Sequence, residues 1–336
     1  MSNVHRLRVL RRCAGCAFKG LAALLSLCAT TSHGQAQTTI VRVGHFPNIT
    51  HVQALVAHHL SRLGKGWFEE RLGGSGVKIE WFVYNAGPSA VEAIFANSID
   101  FTYVGPSPAI NAYVKSRGQE IRIVAGAVDG GAALVVQPDS QLKNAADFRG
   151  KKIGTPQLGN TQDVSARAWL VAGGLKITLT GGDAQVVPTA NPDQLVLFKQ
   201  KQLDAVWTVE PWVSLLETEA HGKVLVEEQD TVTTVLVSAA KLLVTNRDLA
   251  RKFVAAHDEL TRWIKDNPAE AQRMARDELD AEMRGTIGPG LVERAWKRII
   301  LTSEVSREAL EKFMANAKSA GFLRGAPELM RLVEKP

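Results

Sequence analysis

Cysteine is nearly absent from this chain of 336 residues. Its three cysteines are Cys13, Cys16 and Cys28, and all of them precede residue 37. The rest of the chain therefore offers no disulfide, no thiolate zinc site and no cysteine nucleophile. Burial of apolar side chains has to stabilise the fold, and about 300 residues are enough to build such a core in two lobes.

Sequence motifs of common enzyme classes are also missing. The chain contains no Gly-x-Ser-x-Gly turn, no Walker lysine loop and no His-Glu-x-x-His pair. His58 and His59 are neighbours that point to different sides of a helix, and His51 lies two turns from His58, too far to share a metal ion. We expect these histidines to be surface or packing residues. The sequence thus predicts a protein that is not an enzyme and that has no metal ion and no cofactor.

Long apolar runs and a large charge imbalance are lacking after residue 36. No stretch there approaches the ~18 consecutive apolar residues of a transmembrane helix. The formal net charge of the whole chain is +6, but five of its 40 basic residues fall within the first 36 positions, which have no Asp or Glu. The remaining chain carries only +1, so its charge does not favour a nucleic-acid partner.

Residues 1–36 have the pattern of a secretory signal peptide. A basic stretch ends near Lys19, an apolar run covers residues 21–29, and small residues precede position 37. The apolar run is too short to span a bilayer, which takes roughly 20 residues. We therefore expect export to the periplasm with cleavage after Ala36. Lipid attachment at Cys28 is the alternative that this stretch leaves open.

From Thr38 onward, short apolar runs alternate with amphipathic stretches, which is typical of an α/β protein. A strand, a loop rich in Gly, Pro or Ser and a helix follow one another three times before residue 126. A second unit with the same pattern begins near Asp129. The stretch from about residue 247 to residue 333 is predicted to be almost wholly helical.

Several of the loops that follow a strand carry small or hydroxyl residues where a helix begins. Ligands bind at this edge of open α/β sheets, and helix N-termini there present unpaired N–H groups and a partial positive charge. Together such loops could hold a small oxyanion without lysine or arginine, although any one of them is equally well explained as an ordinary helix cap. The candidate anion-binding residues are Asn48, Thr50, His51, Gly87, Ser89, Gly105, Pro106, Ser107, Gly159, Asn160 and Thr161.

A second group of candidates lies at a proline turn after a later strand. Trp207 and Trp212 flank Glu210, and two indoles beside a carboxylate suit a ligand with an apolar body and a polar tip. The alternative is that Trp207 or Trp212 fills core and that Glu210 caps the next helix near its N-terminus. The sequence does not decide between these interpretations.

With these features, the chain from Thr38 to about Leu323 resembles the periplasmic solute-binding proteins of ABC importers. The most similar group is the one that binds aliphatic sulfonates, taurine and nitrate. The segments that carry the resemblance are residues 41–45, 97–101 followed by Gly105, 147–153, 203–207 and 210–212. Pro106 and Ser107 stand where sulfonate binders often have an acid or a threonine, so sulfate esters, taurine, nitrate and phosphonates remain alternatives.

The resemblance implies a type II periplasmic-binding-protein fold, in which two α/β lobes with a five-stranded sheet each are joined by a two-strand hinge. Residues 37–130 and 233–336 would form lobe 1, and residues 131–232 would form lobe 2. The ligand, a small anionic organic compound, would lie in the cleft with its head group facing residues 105–107 and 159–161. The partners would be the permease and ATPase subunits of an ABC importer, and the binding protein itself is expected to be a monomer.

Overall fold

The computed structural model describes residues 38–285, 287–324, 329 and 331–336. The predicted signal peptide, with Cys28 and the cleavage point after Ala36, lies outside the described residues. In the part of the chain that is described, no helix is both long and apolar enough to cross a membrane.

Two β-sheets organise the described residues. One has six strands in the order β13-β4-β12-β3-β1-β2, the other has five in the order β11-β5-β10-β6-β9, and β7 and β8 form a small hairpin. The strands are β1 (Thr39–His45), β2 (Val77–Val83), β3 (Phe101–Val104), β4 (Ile121–Gly130), β5 (Ala132–Val136), β6 (Lys152–Thr155), β7 (Ile177–Thr178), β8 (Gly181–Gly182), β9 (Gln185–Pro188), β10 (Ala205–Val209), β11 (Lys223–Glu228), β12 (Val232–Ala239) and β13 (Ile299–Leu301).

Helices cover the faces of both sheets. They are α1 (Val52–Arg62), α2 (Trp67–Leu72), α3 (Gly87–Phe95), α4 (Pro106–Lys115), α5 (Thr161–Ala172), α6 (Asn191–Lys199), α7 (Trp212–Ala220), α8 (Ala240–Thr245), α9 (Arg247–Asp266), α10 (Pro268–Met283), α11 (Pro289–Trp296) and α12 (Arg307–Ser319). Strands covered in this way are buried on both sides, which is why β4 reads as an almost continuous apolar run.

Helix α9 shows how the helical periodicity builds the core. Its buried residues Phe253, Leu260 and Ile264 recur at helical spacing and so lie on one face. The ring of Phe253 stacks between those of Phe68, at 4.2 Å, and Phe101, at 4.1 Å. This aromatic stack joins α9 to α2 and to β3.

The chain passes between the sheets twice. β4 ends at Gly130 in the first sheet and β5 begins at Ala132 in the second, while β11 ends at Glu228 and β12 returns to the first sheet at Val232. Gly130 has a positive φ of 72°, and a Cβ there would lie 2.5 Å from a backbone oxygen of the α11–β13 turn, so only glycine fits. The lobe boundaries at 130/131 and 232/233 stay a prediction.

Two expectations from the sequence are wrong. The first sheet has six strands instead of five, because β13 pairs antiparallel with the edge of β4. For the same reason the segment after residue 247, which the sequence predicts to be almost wholly helical, contains a strand between its helices. Ile299 is buried beside β4, and its strand pairing depends on a partner that is distant in sequence.

Replacement of Phe253 by alanine should lower the free energy of unfolding by about 3–5 kcal/mol, because the ring is fully buried between two others and its loss leaves a cavity. Denaturant titration measures the change. Val244→Ala is the matched control, since Val244 is 86% exposed and its truncation should change stability little. Equal effects of the two substitutions would contradict the packing described here.

Candidate ligand-binding site

A small cavity lies between the two sheets, where strands of both end. Its volume is about 20 Å³, room for about one water molecule. Residues of the first sheet and its loops line one side, namely Phe46, Asn48, Thr50, His51, Asn85, Ala86, Gly87, Gly105, Pro108 and Thr233. Residues of the second line the other, namely Pro156, Asn160, Thr161, Gln162, Asn191 and Val209. No lysine or arginine is among these lining residues.

Four helices begin at the cavity. Each follows a strand whose carboxyl end lies nearby, so that β2 leads to α3, β3 to α4, β6 to α5 and β9 to α6. Gly87, Gly105, Asn160 and Asn191 mark these four starts. The first N–H groups of each helix have no acceptor within the helix and carry a partial positive charge. Backbone dipoles therefore give the cavity a partial positive charge.

Two hydroxyl groups in the first turns of these helices lack a partner. Ser107 Oγ on α4 and Thr161 Oγ1 on α5 are buried, and neither has a hydrogen bond to any described residue. Buried polar atoms are seldom left unpaired in proteins, which sets these two hydroxyl groups apart from ordinary helix caps. Ser107 itself is not among the lining residues, although Gly105 and Pro108 on either side of it are.

Gly105 and Thr161 show how closely the two sides of the cavity approach. A Cβ at Gly105 would lie only 2.1 Å from Thr161 Oγ1. Beyond this contact, Asn85 Nδ2 donates to the carbonyl of Pro156 (3.4 Å), and Ser89 Oγ lies within hydrogen-bond distance of the side-chain amide of Gln157. These contacts close the cleft around the cavity.

Asp163 holds the loop that leads to Thr161. Its Oδ1 accepts from Thr155 Oγ1 (2.9 Å), and its Oδ2 accepts from the backbone N–H of Gly159 (2.9 Å) and from Arg167 Nε (3.1 Å). Asn160 caps the same helix by accepting from the backbone N–H of Asp163 (2.8 Å). The loop is therefore held in place without help from a ligand.

His51 offers a neutral donor to the cavity. The backbone N–H of Phe46 donates to His51 Nδ1 (3.4 Å), which leaves the ring proton on Nε2. Burial lowers the pKa of His51 well below its usual value, and the neighbouring His45 adds to the effect. His51 is therefore uncharged at physiological pH and can hydrogen-bond to an anion as an N–H donor.

Trp212 acts on the cavity through Asn48. The indole N–H of Trp212 donates to Asn48 Oδ1 (3.0 Å), and this indole group can only donate. The contact fixes which way the Asn48 amide points and leaves its NH₂ group for other partners. Asn48 lines the cavity whereas Trp212 does not, so Trp212 orients a donor at a distance from the ligand position.

Glu210 lies outside the cavity, in contact with the first turn of α7 and with the turn between α11 and β13. Its carboxylate accepts from the Ser214 backbone N–H (3.1 Å) and hydroxyl (2.9 Å) and from Arg298 Nη1 (2.9 Å). Burial raises the pKa of Glu210, an effect that Arg298 and Ser214 oppose. These contacts correspond to the capping interpretation of this residue.

The structure brings seven of the predicted residues together around the cavity. They are Asn48, Thr50, His51, Gly87, Gly105, Asn160 and Thr161. Ser89, Pro106, Ser107 and Gly159 lie beside them in the same loops and first turns, but do not line the cavity. Trp207 packs in the core of the second sheet, with its ring 5.8 Å from that of Trp169.

Sequence reasoning missed Phe46, Asn85, Gln162, Asn191 and Thr233 among the lining residues. Asn191 could have been found, because it begins a helix after a strand in the same pattern as the other candidates. The structure shows that Asn191 is not the helix cap, which is Ala190; its Oδ1 accepts from Thr208 Oγ1 (3.1 Å) instead. Thr233 carries no such signal, since it lies inside a strand.

Comparison with known proteins assigns the chain to a family. The model of the NMT1-like family matches residues 34–277, which is most of the chain. The chain belongs to the NMT1-like family. A Bacillus subtilis (strain 168) relative named "Putative aliphatic sulfonates-binding protein" is 26% identical over 230 residues, which cover 66% of each chain. The predicted relationship to the sulfonate, taurine and nitrate group of periplasmic solute-binding proteins is thereby confirmed.

Solved structures confirm the periplasmic-binding-protein fold that the sequence predicts. The alkanesulfonate-binding protein SsuA of Xanthomonas axonopodis pv. citri, bound to MOPS, matches with a TM-score of 0.68 at 19% identity, covering 84% of this chain and 92% of that one. The periplasmic nitrate-binding protein NrtA of Synechocystis PCC 6803 matches with a TM-score of 0.67 at 14% identity, covering 85% and 82%.

Removal of the Glu210 carboxylate should lower the stability of the fold without changing which ligands the protein prefers. Glu210→Ala leaves the Ser214 backbone N–H and hydroxyl without their acceptor, which should cost about 1–3 kcal/mol of folding free energy. Glu217→Ala is the control, since Glu217 also pairs with Arg298 but does not contact Ser214. Denaturant titration measures the change in stability. Calorimetry should show that the substitution weakens the binding of taurine and of plain alkanesulfonates by the same factor. If only the affinity for taurine falls, Glu210 contacts the ligand instead.

Proposed function

We propose that this chain is an exported solute-binding protein that captures a small organic compound with an oxyanion group and delivers it to an ABC importer. The favoured ligand is an aliphatic sulfonate or a sulfate ester, taken up as a source of sulfur. The protein acts as a monomer in the periplasm, and its partners are the permease and ATPase subunits of the importer. Membership in the NMT1-like family and the sulfonate-binding relatives support this assignment.

The observation that carries the proposal is the set of uncharged donors around one cavity. First-turn N–H groups, the unpaired hydroxyls of Ser107 and Thr161, the neutral ring of His51 and the oriented amide of Asn48 all lie in or beside it. Such donors stabilise an anion through hydrogen bonds and helix dipoles without a countercharge.

The same donors favour oxyanions that carry no proton. A sulfonate or sulfate ester presents only acceptor oxygens, which this set of donors can satisfy. A phosphonate monoanion has a hydroxyl that needs an acceptor, whereas the first-turn N–H groups can only donate, and the Oδ1 atoms of Asn48 and Asn191 each already accept one hydrogen bond. An unpaired buried donor costs about 1–3 kcal/mol, so phosphonates should bind more weakly.

Binding without catalysis fits the surroundings of Ser107. A serine nucleophile needs a base within hydrogen-bond reach, and Ser107 Oγ has no hydrogen-bond partner among the described residues. Its place in the first turn of a helix suits a donor to a ligand oxygen.

Loss of either unpaired hydroxyl should weaken binding. Ser107→Ala and Thr161→Ala should each cost about 1–3 kcal/mol of binding free energy, a roughly 5- to 150-fold rise in the dissociation constant, with little change in stability. Calorimetric titration with alkanesulfonates, sulfate esters, taurine, nitrate and phosphonates measures the dissociation constants. The same titrations identify the compound that binds most tightly. Thr245→Ala is the control, because Thr245 is exposed on α8. If both site variants bind as tightly as the unmodified protein, the proposed head-group position is wrong.

Ligand entry should require the two lobes to separate, because a cavity of about 20 Å³ cannot admit an organic sulfonate. We place the hinge at residues 126–134 and 231–237, and small-angle scattering should show a smaller radius of gyration at saturating ligand. Gly105→Ala should hinder this closure, since its Cβ would collide with Thr161.

Gly290→Ala is the matched control for Gly105→Ala, because no atom lies within 4 Å of a Cβ at that position. It should close like the unmodified protein. If the ligand binds and the radius of gyration does not change, the proposed hinge motion is wrong. The molecular mass from the same scattering data shows whether the protein is a monomer.

A further inference from the structure

Three potential metal ligands converge behind the cavity, in the interior of the first lobe. His45 ends β1, His58 lies on α1 and Glu282 lies on α10, so that elements far apart in sequence contribute one side chain each. His45 Nε2 lies 3.0 Å from Glu282 Oε1 and 3.2 Å from His58 Nδ1, and His58 Nδ1 lies 2.9 Å from Glu282 Oε1. The three ligand atoms thus form a nearly equilateral triangle.

His45 and Glu282 direct potential ligand atoms into this triangle. His45 Nδ1 lies 3.3 Å from the carbonyl of Phe46, and this contact orients the ring so that Nε2 faces Glu282 Oε1 at 3.0 Å. Glu282 Oε2 is buried and has no hydrogen bond to a described residue. Side chains from three separate elements thus bring their ligand atoms to one point.

Geometry favours a metal ion with tetrahedral coordination. With bonds of about 2.0–2.1 Å, ligand atoms in such a site lie roughly 3.3 Å apart, within a few tenths of an ångström of the edges seen here. The neighbouring Glu278 is engaged elsewhere, because its two carboxylate oxygens accept from Arg62 Nε at 2.8 and 3.0 Å, so the described residues supply three protein ligands to a zinc ion. Two imidazoles with carboxylate oxygens form a typical set of ligands for zinc.

The surroundings hold these ligands in place. The Trp81 ring stacks on His58 at 5.2 Å and meets His45 edge to face at 5.5 Å. The hydrogen bond from His45 to the carbonyl of Phe46 is the kind of outer contact that orients metal-bound histidines. The side chains of His45 and Glu282 are 0% and 1% exposed, so water does not compete strongly for the position.

We propose that His45, His58 and Glu282 form a zinc site. The ion ties the end of β1 to α1 and α10. Because Phe46 follows His45 and lines the cavity, the site also anchors the start of the loop that carries Asn48 and His51. The site is separate from the ligand cavity and does not depend on which anion binds there.

Zinc titration of the chelator-treated protein, made without a polyhistidine tag, tests the proposal. We expect one zinc ion per chain by elemental analysis and a higher melting temperature with zinc, whereas Mg²⁺ should have no such effect. His58→Ala and Glu282→Gln should weaken zinc binding at least 100-fold. His221→Asn is the control, since His221 is exposed at the end of α7 and is not part of the triangle.

A second measurement does not depend on how the variants fold. Cobalt(II) added to the unmodified protein should give the intense visible absorption of tetrahedral coordination, and zinc should displace it. Absence of stoichiometric zinc binding by the unmodified protein, or full binding by both ligand variants, would overturn the proposal. Neither result would bear on anion binding, which calorimetry with sulfonates measures separately.

Discussion

The first turn of a helix leaves N–H groups without acceptors, and four helices of this protein begin at the same cavity. Their positions follow from the sheets, because each helix starts where a strand of one sheet ends. The partial positive charges of these helix starts add at one point, where no lysine or arginine lines the cavity. This arrangement explains why an anion is the proposed ligand although no basic side chain lines the cavity. The need for the cleft to open follows from it as well, because the helix starts surround the cavity closely.

Uncharged donors hold their positions only if other groups orient them, and much of the surrounding structure does this. Asp163 fixes the loop before Thr161, and Trp212 turns the amide of Asn48. Phe46 holds the ring of His51 through its backbone N–H. Asp163 and Phe46 act within one lobe, so under the proposed function the donors that they orient would be in place before the ligand arrives, and binding would lose little entropy in ordering them.

The loop after β1 connects the two proposed sites. His45 belongs to the proposed zinc site, and Phe46, the next residue, lines the cavity. A metal ion at His45 would hold the beginning of this loop, while Trp212 holds Asn48 from the other side of the cleft. The loop would then be held at two points, His45 and Asn48, and His51 follows the second of them.

The sequence by itself determined the α/β pattern and the loops from which most of the cavity is built. Asn48, Gly105, Asn160 and Thr161 were found because strand ends and helix starts have local signatures in the chain. Only the tertiary structure decided where side chains point and which distant residues meet. Trp207 and Trp212 look alike in the sequence, yet one fills the core of the second sheet and the other reaches an asparagine 164 positions away. Such contacts depend on packing between elements, which no local pattern of residues contains.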